Sequence, residues 1–390
     1  MVVECKKLDH FGRGIVFVND KITFVRGLLP METAEVKITV DKKKYAEGEL
    51  VKLIKTSCDR VIPNCPYENC GCAIKHLKYE KQLRYKEEKV KEIVYKFGHI
   101  KPIFRNIIYD DHISGYRNKI TLKVDNSVGY YEFNTNKFLK IDNCFLVDEK
   151  INKIIKVLNT LDLSMAYEVI IKEFDQIMIV IKGKIDFEPL KEFADIIYVD
   201  DKLVYGDEFA SVMIKDFSFK ISKDSFFQVN KYLTEKLYDT ALNYCGKDKS
   251  KKVLDLYCGT GTLTLLLSKY FDFVTGIEIN KEAVLCALEN KKINKVNNVK
   301  FICGDVSKEI DKLNADIIVV DPPRSGLSKE GRDDIIRIDP SKIVYISCDP
   351  ITLARDLNVF SEKYEVIEIT PVDMFPNTYH VETVTLLERK

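Results

Sequence analysis

The stretch Val253-Leu254-Asp255-Leu256-Tyr257-Cys258-Gly259-Thr260-Gly261 joins an apolar run to two closely spaced glycines. The apolar part is typical of a buried parallel strand, and the glycines allow the next backbone segment to approach a ligand closely. Around this stretch, β-branched runs alternate with helical patterns. The predicted strands are 252–257, 273–279, 299–303, 316–320, 342–347, 364–369 and 383–388, and the predicted helices are 262–270, 281–293, 329–337 and 352–361. This alternation predicts an α/β fold with a doubly wound, mostly parallel sheet and a ligand at the carboxyl ends of its strands.

The residues after the two glycines indicate the kind of ligand. A dinucleotide-binding turn normally has a third glycine for the pyrophosphate, whereas residues 262–264 contain no glycine. The pattern better fits S-adenosylmethionine (SAM), with Glu278 at the next strand end to bind the ribose hydroxyls and Asp305 near the adenine. A single strand-end acid often only caps a helix. Acids at successive strand ends, beginning with Asp255, favour a class I (Rossmann-like) methyltransferase domain over residues 216–390.

The motif Asp321-Pro322-Pro323-Arg324 bears on which atom is methylated. Methyltransferases that act on exocyclic amines usually place an aromatic residue after such prolines, and this chain has an arginine there. Methylation of C5 of a uracil instead needs a thiolate that adds at C6 and a base that removes the C5 proton. Cys348 and Glu382, at the ends of two predicted strands, fit these roles. Each alone has a simpler interpretation, as a packed cysteine or as an exposed acid at a strand start.

The amino-terminal third predicts a different architecture. Residues 1–57 contain short β-branched runs between Gly, Pro and charged turns, which predicts a small barrel of the oligonucleotide-binding (OB) type. Its Lys42-Lys43-Lys44-Tyr45 segment is either a phosphate contact or a solvated turn. An amphipathic pattern predicts a basic helix over 79–97, again either a phosphate contact or a solvated face. Residues 58–215 form a central α+β region whose predicted elements include 119–125, 168–182 and 195–199.

Five segments carry a more specific signal. They are Ser225-Phe226-Phe227-Gln228-Val229-Asn230, Asp255 to Gly261, Asp321 to Leu327, Ser347 to Asp356, and Asp373-Met374-Phe375-Pro376 with His380-Val381-Glu382. Together they resemble the SAM-dependent RNA (uracil-5-)-methyltransferase family over almost the whole chain. The segment Leu8-Asp9-His10-Phe11-Gly12-Arg13-Gly14 resembles the TRAM domain of the ribosomal-RNA branch of that family, which implies that residues 1–57 are an RNA-binding TRAM domain.

The resemblance also implies roles for single residues. Cys348 is expected to be the nucleophile, Glu382 the proton acceptor, and Arg324 a contact to the uracil or the RNA backbone. Helix 79–97 is expected to pack on the catalytic domain. The implied cofactor-binding residues are Gln228, Tyr257, Gly259, Gly261, Glu278, Asp305 and Asp321.

A cysteine-rich loop, Asn64-Cys65-Pro66-Tyr67-Glu68-Asn69-Cys70-Gly71-Cys72, suggests a metal centre. By the resemblance, Cys65, Cys70 and Cys72 with Cys144 hold a [4Fe-4S] cluster. The family usually has five residues between the first two ligands and two between the next, whereas this chain has four and one. The shorter loop leaves zinc as an alternative, with Cys58 as a possible substitute ligand.

Composition limits the cellular setting. The 390 residues include eleven cysteines, the first residues are charged, and no apolar run is long enough to span a membrane. These features predict a cytoplasmic protein without disulfides, and we expect a monomer.

The net charge of +1 conceals an asymmetry: residues 1–105 carry 22 Lys/Arg against 14 Asp/Glu, and residues 106–390 carry 39 against 46. The basic part coincides with the region expected to bind RNA.

The sequence therefore predicts an enzyme that transfers a methyl group from SAM to C5 of a specific uridine, with 23S ribosomal RNA favoured as substrate. A related enzyme that acts on tRNA is one alternative. A non-catalytic RNA-binding factor with a vestigial cofactor fold is another, and the presence of both Cys348 and Glu382 argues against it.

Overall fold

The computed structural model describes residues 1–68, 71–132, 135–310 and 313–390. The chain divides into two compact units, each built from separate stretches. The first comprises Met1–Lys89, Tyr131–Leu139 and Phe375–His380, and the second comprises Val90–Tyr130, Lys140–Met374 and Val381–Lys390. No helix in these described ranges is both long and apolar enough to cross a membrane.

The secondary-structure elements are numbered in chain order. The strands are β1 (Val2–Glu4), β2 (Lys7–Leu8), β3 (Gly14–Val18), β4 (Lys21–Val25), β5 (Thr33–Asp41), β6 (Ala46–Lys55), β7 (Ile103–Phe104), β8 (Lys119–Val124), β9 (Val128–Tyr131), β10 (Phe138–Lys140), β11 (Ala166–Glu173), β12 (Ile177–Gly183), β13 (Ile196–Val199), β14 (Lys202–Tyr205), β15 (Ala210–Ile214), β16 (Phe217–Ile221), β17 (Lys252–Leu256), β18 (Phe273–Glu278), β19 (Val299–Cys303), β20 (Ile317–Val320), β21 (Lys342–Ser347), β22 (Tyr364–Val372) and β23 (Glu382–Arg389). The helices are α1 (Tyr79–Phe97), α2 (Glu149–Leu158), α3 (Thr234–Cys245), α4 (Thr262–Leu267), α5 (Lys281–Ile293), α6 (Val306–Glu309), α7 (Lys329–Ile338) and α8 (Pro350–Phe360).

The N-terminal sheet lies in the first unit and has the strand order β1-β5-β6-β4-β3-β2. Strands β3 and β4 form a hairpin whose turn residues, Asn19 and Asp20, both have positive φ, as the right-handed twist of a tight hairpin favours. Its interior is a small cluster of buried apolar side chains, namely Val3, Cys5, Val16, Val25, Leu28, Ala34 and Val36. The short β-branched runs noted in the sequence between residues 14 and 54 form strands β3 to β6.

Most of the central sheet lies in the second unit, where its strands follow the order β9-β8-β11-β12-β13-β14. The predicted element 168–182 is in fact two strands, β11 and β12, that pair antiparallel. A turn separates them, in which the Phe174 amide donates to the Gln176 carbonyl over 3.0 Å. The sequence did not show this break because both strands are apolar and no Gly or Pro marks the turn.

The C-terminal sheet has the order β19-β18-β17-β20-β21-β23-β22-β7. Strands β17 to β21 run parallel, as predicted. The interiors of β17, β18, β20 and β21 are buried because helices cover them, whereas the edge strand β19 is partly exposed. Strand β23 departs from the parallel pattern, since it lies between β21 and β22 and pairs antiparallel with both. The seven predicted strands are present, and β22 continues three residues beyond its predicted end. The carboxyl ends of the parallel strands therefore meet at one edge of the sheet.

Candidate active site

Cys348 and Glu382 are brought together by the pairing of β21 with β23. The last pair of this antiparallel ladder is Ser347 opposite Thr383, and the Thr383 hydroxyl donates to the Ser347 carbonyl over 3.2 Å. Cys348 follows Ser347, and Glu382 precedes Thr383, so the two residues leave the ladder side by side. Cys348 is half-buried, whereas Glu382 is only 5% exposed.

Charged neighbours act on both groups. Burial raises the pKa of Glu382 to about 8; the negative charge of Asp321 adds to this rise and the guanidinium of Arg324 opposes it. Burial also raises the pKa of the Cys348 thiol to about 12, with Glu382 adding to the rise and Arg324 opposing it. The charges of Asp321 and Arg324 thus act on both Glu382 and Cys348, which indicates that the two groups share one electrostatic environment. Before substrate binds, both the thiol and much of the Glu382 population hold their protons at neutral pH.

Asp321 follows β20 directly, next to the strand that carries Cys348. Burial raises the pKa of its carboxyl to about 7. Tyr238 of α3 is a further buried group at this place that sequence reasoning missed; burial and the negative charges of Asp321, Asp255 and Glu382 raise its pKa. Its position on the apolar face of a helix is indistinguishable from ordinary core packing in a single sequence.

The glycine-rich turn after β17 contains three residues with positive φ, a backbone conformation that is common where a turn approaches a ligand closely. Gly259 and Gly261 have φ of +53° and +79°, and Tyr257 adopts +64°, an unfavourable value for a residue with a side chain. The Gly259 amide donates to Glu278 Oε2 over 3.1 Å, and the Asn280 amide donates to Oε1 over 2.8 Å. These two backbone bonds hold the Glu278 carboxylate at the end of β18.

The other predicted cofactor residues lie in separate surroundings. Asp305 is exposed after β19, and its carboxylate caps α6 by accepting from the Ser307 amide over 3.0 Å. Gln228 is 5% exposed, and its backbone carbonyl accepts from Asn118 Nδ2 over 3.0 Å. Asp255 is buried inside the sheet and accepts from the Thr264 hydroxyl over 2.5 Å. Asp255 therefore lies within β17, one residue before the strand ends, rather than at the strand end itself.

A cavity of about 480 Å³ opens beside Tyr257. It is lined by the 325–329 loop that follows the Asp-Pro-Pro-Arg motif, together with Arg332 and Arg355. The two arginines are held in place by the buried carboxylate of Asp356, which accepts from both at 2.8 and 2.9 Å. The cavity thus adjoins the loop between Asp321 and α7.

The cysteines expected to bind metal are only partly covered by the structure. Cys65 and Cys72 lie in the first unit, where the Lys75 ammonium donates to the carbonyls of Cys65 and Tyr67 and draws the loop toward the 72–75 turn. Cys144 lies in the second unit, and its backbone is held by the buried Asn152 at 2.7 and 3.2 Å. Cys70 lies outside the described residues. In the part of the chain that is described, no three His, Cys, Asp or Glu side chains are grouped to hold a metal ion.

The parallel sheet, the glycine-rich turn after β17 and the oriented acid after β18 define a SAM-dependent methyltransferase. The profile of the family described as tRNA (Uracil-5-)-methyltransferase matches residues 194–309 and 305–390, and the TRAM domain profile matches residues 2–51. The chain belongs to this family of SAM-dependent RNA uracil-5 methyltransferases, which confirms the resemblance found in the sequence.

Relatives that match over nearly their whole length support this assignment. An uncharacterized RNA methyltransferase of Caldanaerobacter subterraneus is 36% identical over 99% of this chain and 97% of its own length. One of Clostridium tetani is 36% identical over 96% and 93%. The crystal structure of the Pyrococcus abyssi tRNA (uracil-54, C5)-methyltransferase with S-adenosyl-L-homocysteine has a TM-score of 0.81 and 26% identity, and the match covers 99% of both chains.

Proposed function

We propose that the chain methylates C5 of a uridine through a covalent enzyme–RNA adduct, with Cys348 as the nucleophile and Glu382 as the proton acceptor. The observation that carries this proposal is the placement of the two residues side by side at the end of the β21–β23 ladder. A thiol and a carboxylate so placed can act on neighbouring atoms of one pyrimidine ring, which adduct formation at C6 and deprotonation at C5 require.

The proposed reaction has three steps. The Cys348 thiol, which is only half-buried, gives its proton to solvent water, and its sulfur bonds to C6 of the uracil while the C5=C6 double bond opens and its electron pair moves onto C5. C5 takes the methyl group, and S-adenosylhomocysteine leaves. Glu382 then removes the C5 proton, the C6–S bond breaks, and the C5=C6 bond and the thiolate are restored. A carboxylate whose pKa is raised to about 8 is a stronger base than an ordinary one and suits this last step.

SAM, when bound, supplies an electrophilic methyl group on a sulfonium. We assign its binding to residues of the second unit that the turn after β17 and the strand ends position. In this proposal Glu278 accepts from the ribose hydroxyls, and the positive φ of Gly259 and Gly261 lets the backbone approach the ligand. The full proposed set is Gln228, Tyr257, Gly259, Gly261, Glu278, Asp305 and Asp321. The cap that Asp305 forms on α6 leaves its second carboxylate oxygen as the atom to contact the adenine.

Trapping tests the adduct. RNA that carries 5-fluorouridine cannot lose fluorine as a cation, so an enzyme that forms the C6 adduct and transfers the methyl group stays bonded to it. We expect a denaturation-resistant complex with the wild type and SAM, and none with Cys348→Ala. With ordinary RNA, Glu382→Gln should accumulate the methylated adduct. Cys303→Ala, which removes an exposed cysteine, is the matched control. Full turnover by Cys348→Ala or Glu382→Gln would contradict the assigned roles.

For the substrate, we propose a uridine in 23S ribosomal RNA, with the TRAM domain and the cysteine loop as support. The fold match to an archaeal tRNA methyltransferase favours tRNA as the second candidate. Mapping 5-methyluridine in ribosomal RNA and tRNA from a deletion strain distinguishes the two. Loss of the modification from tRNA alone would exclude the ribosomal substrate.

We also propose that Cys65, Cys70, Cys72 and Cys144 hold a [4Fe-4S] cluster. The donors fit this group by their chemistry, since cysteine thiolates are the usual ligands of such clusters, and the Lys75 ammonium holds one end of the loop by donating to the carbonyls of Cys65 and Tyr67. Protein purified without oxygen should be brown and contain iron and sulfide, and Cys144→Ser should lose both while Cys58→Ser keeps them. Stoichiometric zinc without iron would refute the cluster.

A further inference from the structure

Lys172 is a buried lysine that the proposed chemistry leaves without a role. It lies in β11, in the middle of the central sheet, opposite Lys119 of β8 and Met178 of β12, and it is 2% exposed. A buried ammonium is costly unless acceptors surround it. Its Nζ donates to the carbonyls of Ser222, Lys223 and Ser225 at 3.1, 2.6 and 3.1 Å. The three acceptors match the three N–H bonds of an ammonium.

The acceptors belong to a tight turn that serine side chains close. The Ser222 amide donates to Ser225 Oγ over 3.3 Å, the Ser225 amide donates to Ser222 Oγ over 3.2 Å, and the two hydroxyls are 2.7 Å apart. Three carbonyl dipoles that point at one place repel one another unless a cation lies between them. Lys172 therefore stabilises the particular conformation of the turn in which these three carbonyls point at one place.

The turn leads directly into the segment Phe226–Asn230. Residues near the end of the central sheet make further contacts with this segment. Phe227 packs edge-on against Phe174, next to the end of β11, with ring centroids 5.5 Å apart. Asn118 donates from its side chain to the Gln228 carbonyl over 3.0 Å and from its amide to the Val229 carbonyl over 2.9 Å. Phe226 remains 67% exposed.

The far end of this segment reaches the strand that pairs with Glu382. Asn230 Nδ2 donates to the Met374 carbonyl over 3.2 Å, and Met374 lies two residues after Val372, the partner of Glu382 in the β22–β23 ladder. The segment is thus fixed at one end by the turn on Lys172 and at the other end beside the candidate active site.

We propose that Lys172 is a positioning residue for uracil methylation: its ammonium fixes the Ser222–Ser225 turn and thereby sets where Phe226 is presented to the bound RNA and Gln228 to SAM. The inference rests on the proposed function for its kinetic consequence, but the geometric part does not depend on it. Lys172 touches neither the cofactor nor the base in this proposal and acts through the backbone of the turn.

The test replaces the ammonium with an apolar chain of similar length. Lys172→Met should lower kcat on the order of tenfold at saturating RNA and SAM, because small displacements of a positioned group have large effects on rate. Lys123→Met is the matched control, since Lys123 lies on the adjacent strand β8 and its side chain is 47% exposed, paired with Glu168. Unchanged kcat in Lys172→Met, relative to this control, would overturn the kinetic claim.

A second readout needs no substrate. The chain contains no tryptophan, so Phe226→Trp introduces a single fluorophore into the segment. Its fluorescence anisotropy should fall when Lys172→Met is added and stay constant when Lys123→Met is added. Equal anisotropy in the two double variants would refute the positioning role even if the wild type proved unable to methylate uridine. Ser225→Ala removes the hydrogen bonds that the Ser225 hydroxyl makes with Ser222, and it should lower the anisotropy as well. This variant replaces Lys172→Met in the test if Lys172→Met does not fold.

Discussion

At the scale of single residues, burial controls the protonation of the candidate active site. Cys348 is a protonated thiol before RNA binds, because burial and the acid Glu382 both disfavour its thiolate. Arg324 is the cation that opposes this effect, so its loss should make the thiolate harder to form. The same low polarity that holds the proton on the thiol makes Glu382 a stronger base once it is ionised.

Burial of Glu382 also predicts how stability depends on pH. Its pKa rises from 4.5 to about 8 on folding, so between these values the folded chain binds more protons than the unfolded chain, and stability falls as pH rises. Glu382→Gln removes this contribution and should be more stable than the wild type at pH 9 by more than about 1 kcal/mol, with little or no gain at pH 5. Urea unfolding at the two pH values measures the difference.

The control for this prediction lies on the same strand. Glu388 has a side chain that is 46% exposed and pairs with Lys342, so Glu388→Gln should not change the stability difference between the two pH values. A parallel pH dependence in Glu382→Gln and the wild type would show that Glu382 is not the group responsible.

At the scale of elements, the turn between β17 and α4 is the most tightly constrained part of the cofactor region. A Cβ at Gly261 would lie 2.5 Å from Phe301 Cζ, whereas a Cβ at Gly259 meets nothing within 4 Å, although both residues have positive φ. Gly261→Ala should therefore cost on the order of 1–3 kcal/mol more in unfolding free energy than Gly259→Ala.

Both alanine variants have the same kind of backbone strain, so their difference reports the crowding at Gly261, which is the clash with the Phe301 ring and a tight contact with Ala287 Cβ at 3.1 Å. Denaturant unfolding gives the comparison, and Phe301→Leu in the Gly261→Ala background should recover part of the loss. Equal stability of the two glycine variants would mean that the Phe301 ring moves away without cost.

At the scale of the whole molecule, the division of charge makes RNA binding depend on salt. Residues 1–105 carry the basic excess, and Lys42, Lys43 and Lys44 are exposed in the turn between β5 and β6. If each contacts a phosphate, replacing all three by alanine should reduce the slope of log affinity against log salt by about 2–3, since each contact contributes about 0.7–0.9. Filter binding over a range of salt concentrations measures the slope, and SAM affinity serves as the internal control.

Replacement of Lys247, Lys249 and Lys251, which lie between α3 and β17, provides a matched triple variant in the acidic part of the chain. We expect this variant to keep the wild-type slope. Identical slopes in the two triple variants would show that the 42–44 segment is a solvated turn.

The sequence by itself determined most helices and strands of this protein and which chemically reactive residues it contains. Helix α1 and the alternating strands and helices after residue 250 were predictable because side-chain periodicity and glycine turns are local properties. The tertiary structure alone decided that β23 lies between β21 and β22, which places Glu382 beside Cys348, and that Lys172 supports a turn 50 residues further along the chain. It also showed that Asp255 is buried within β17 rather than placed at its end. These outcomes depend on which distant segments pack together, and a single sequence carries no periodic signal for the pairing of segments far apart in the chain.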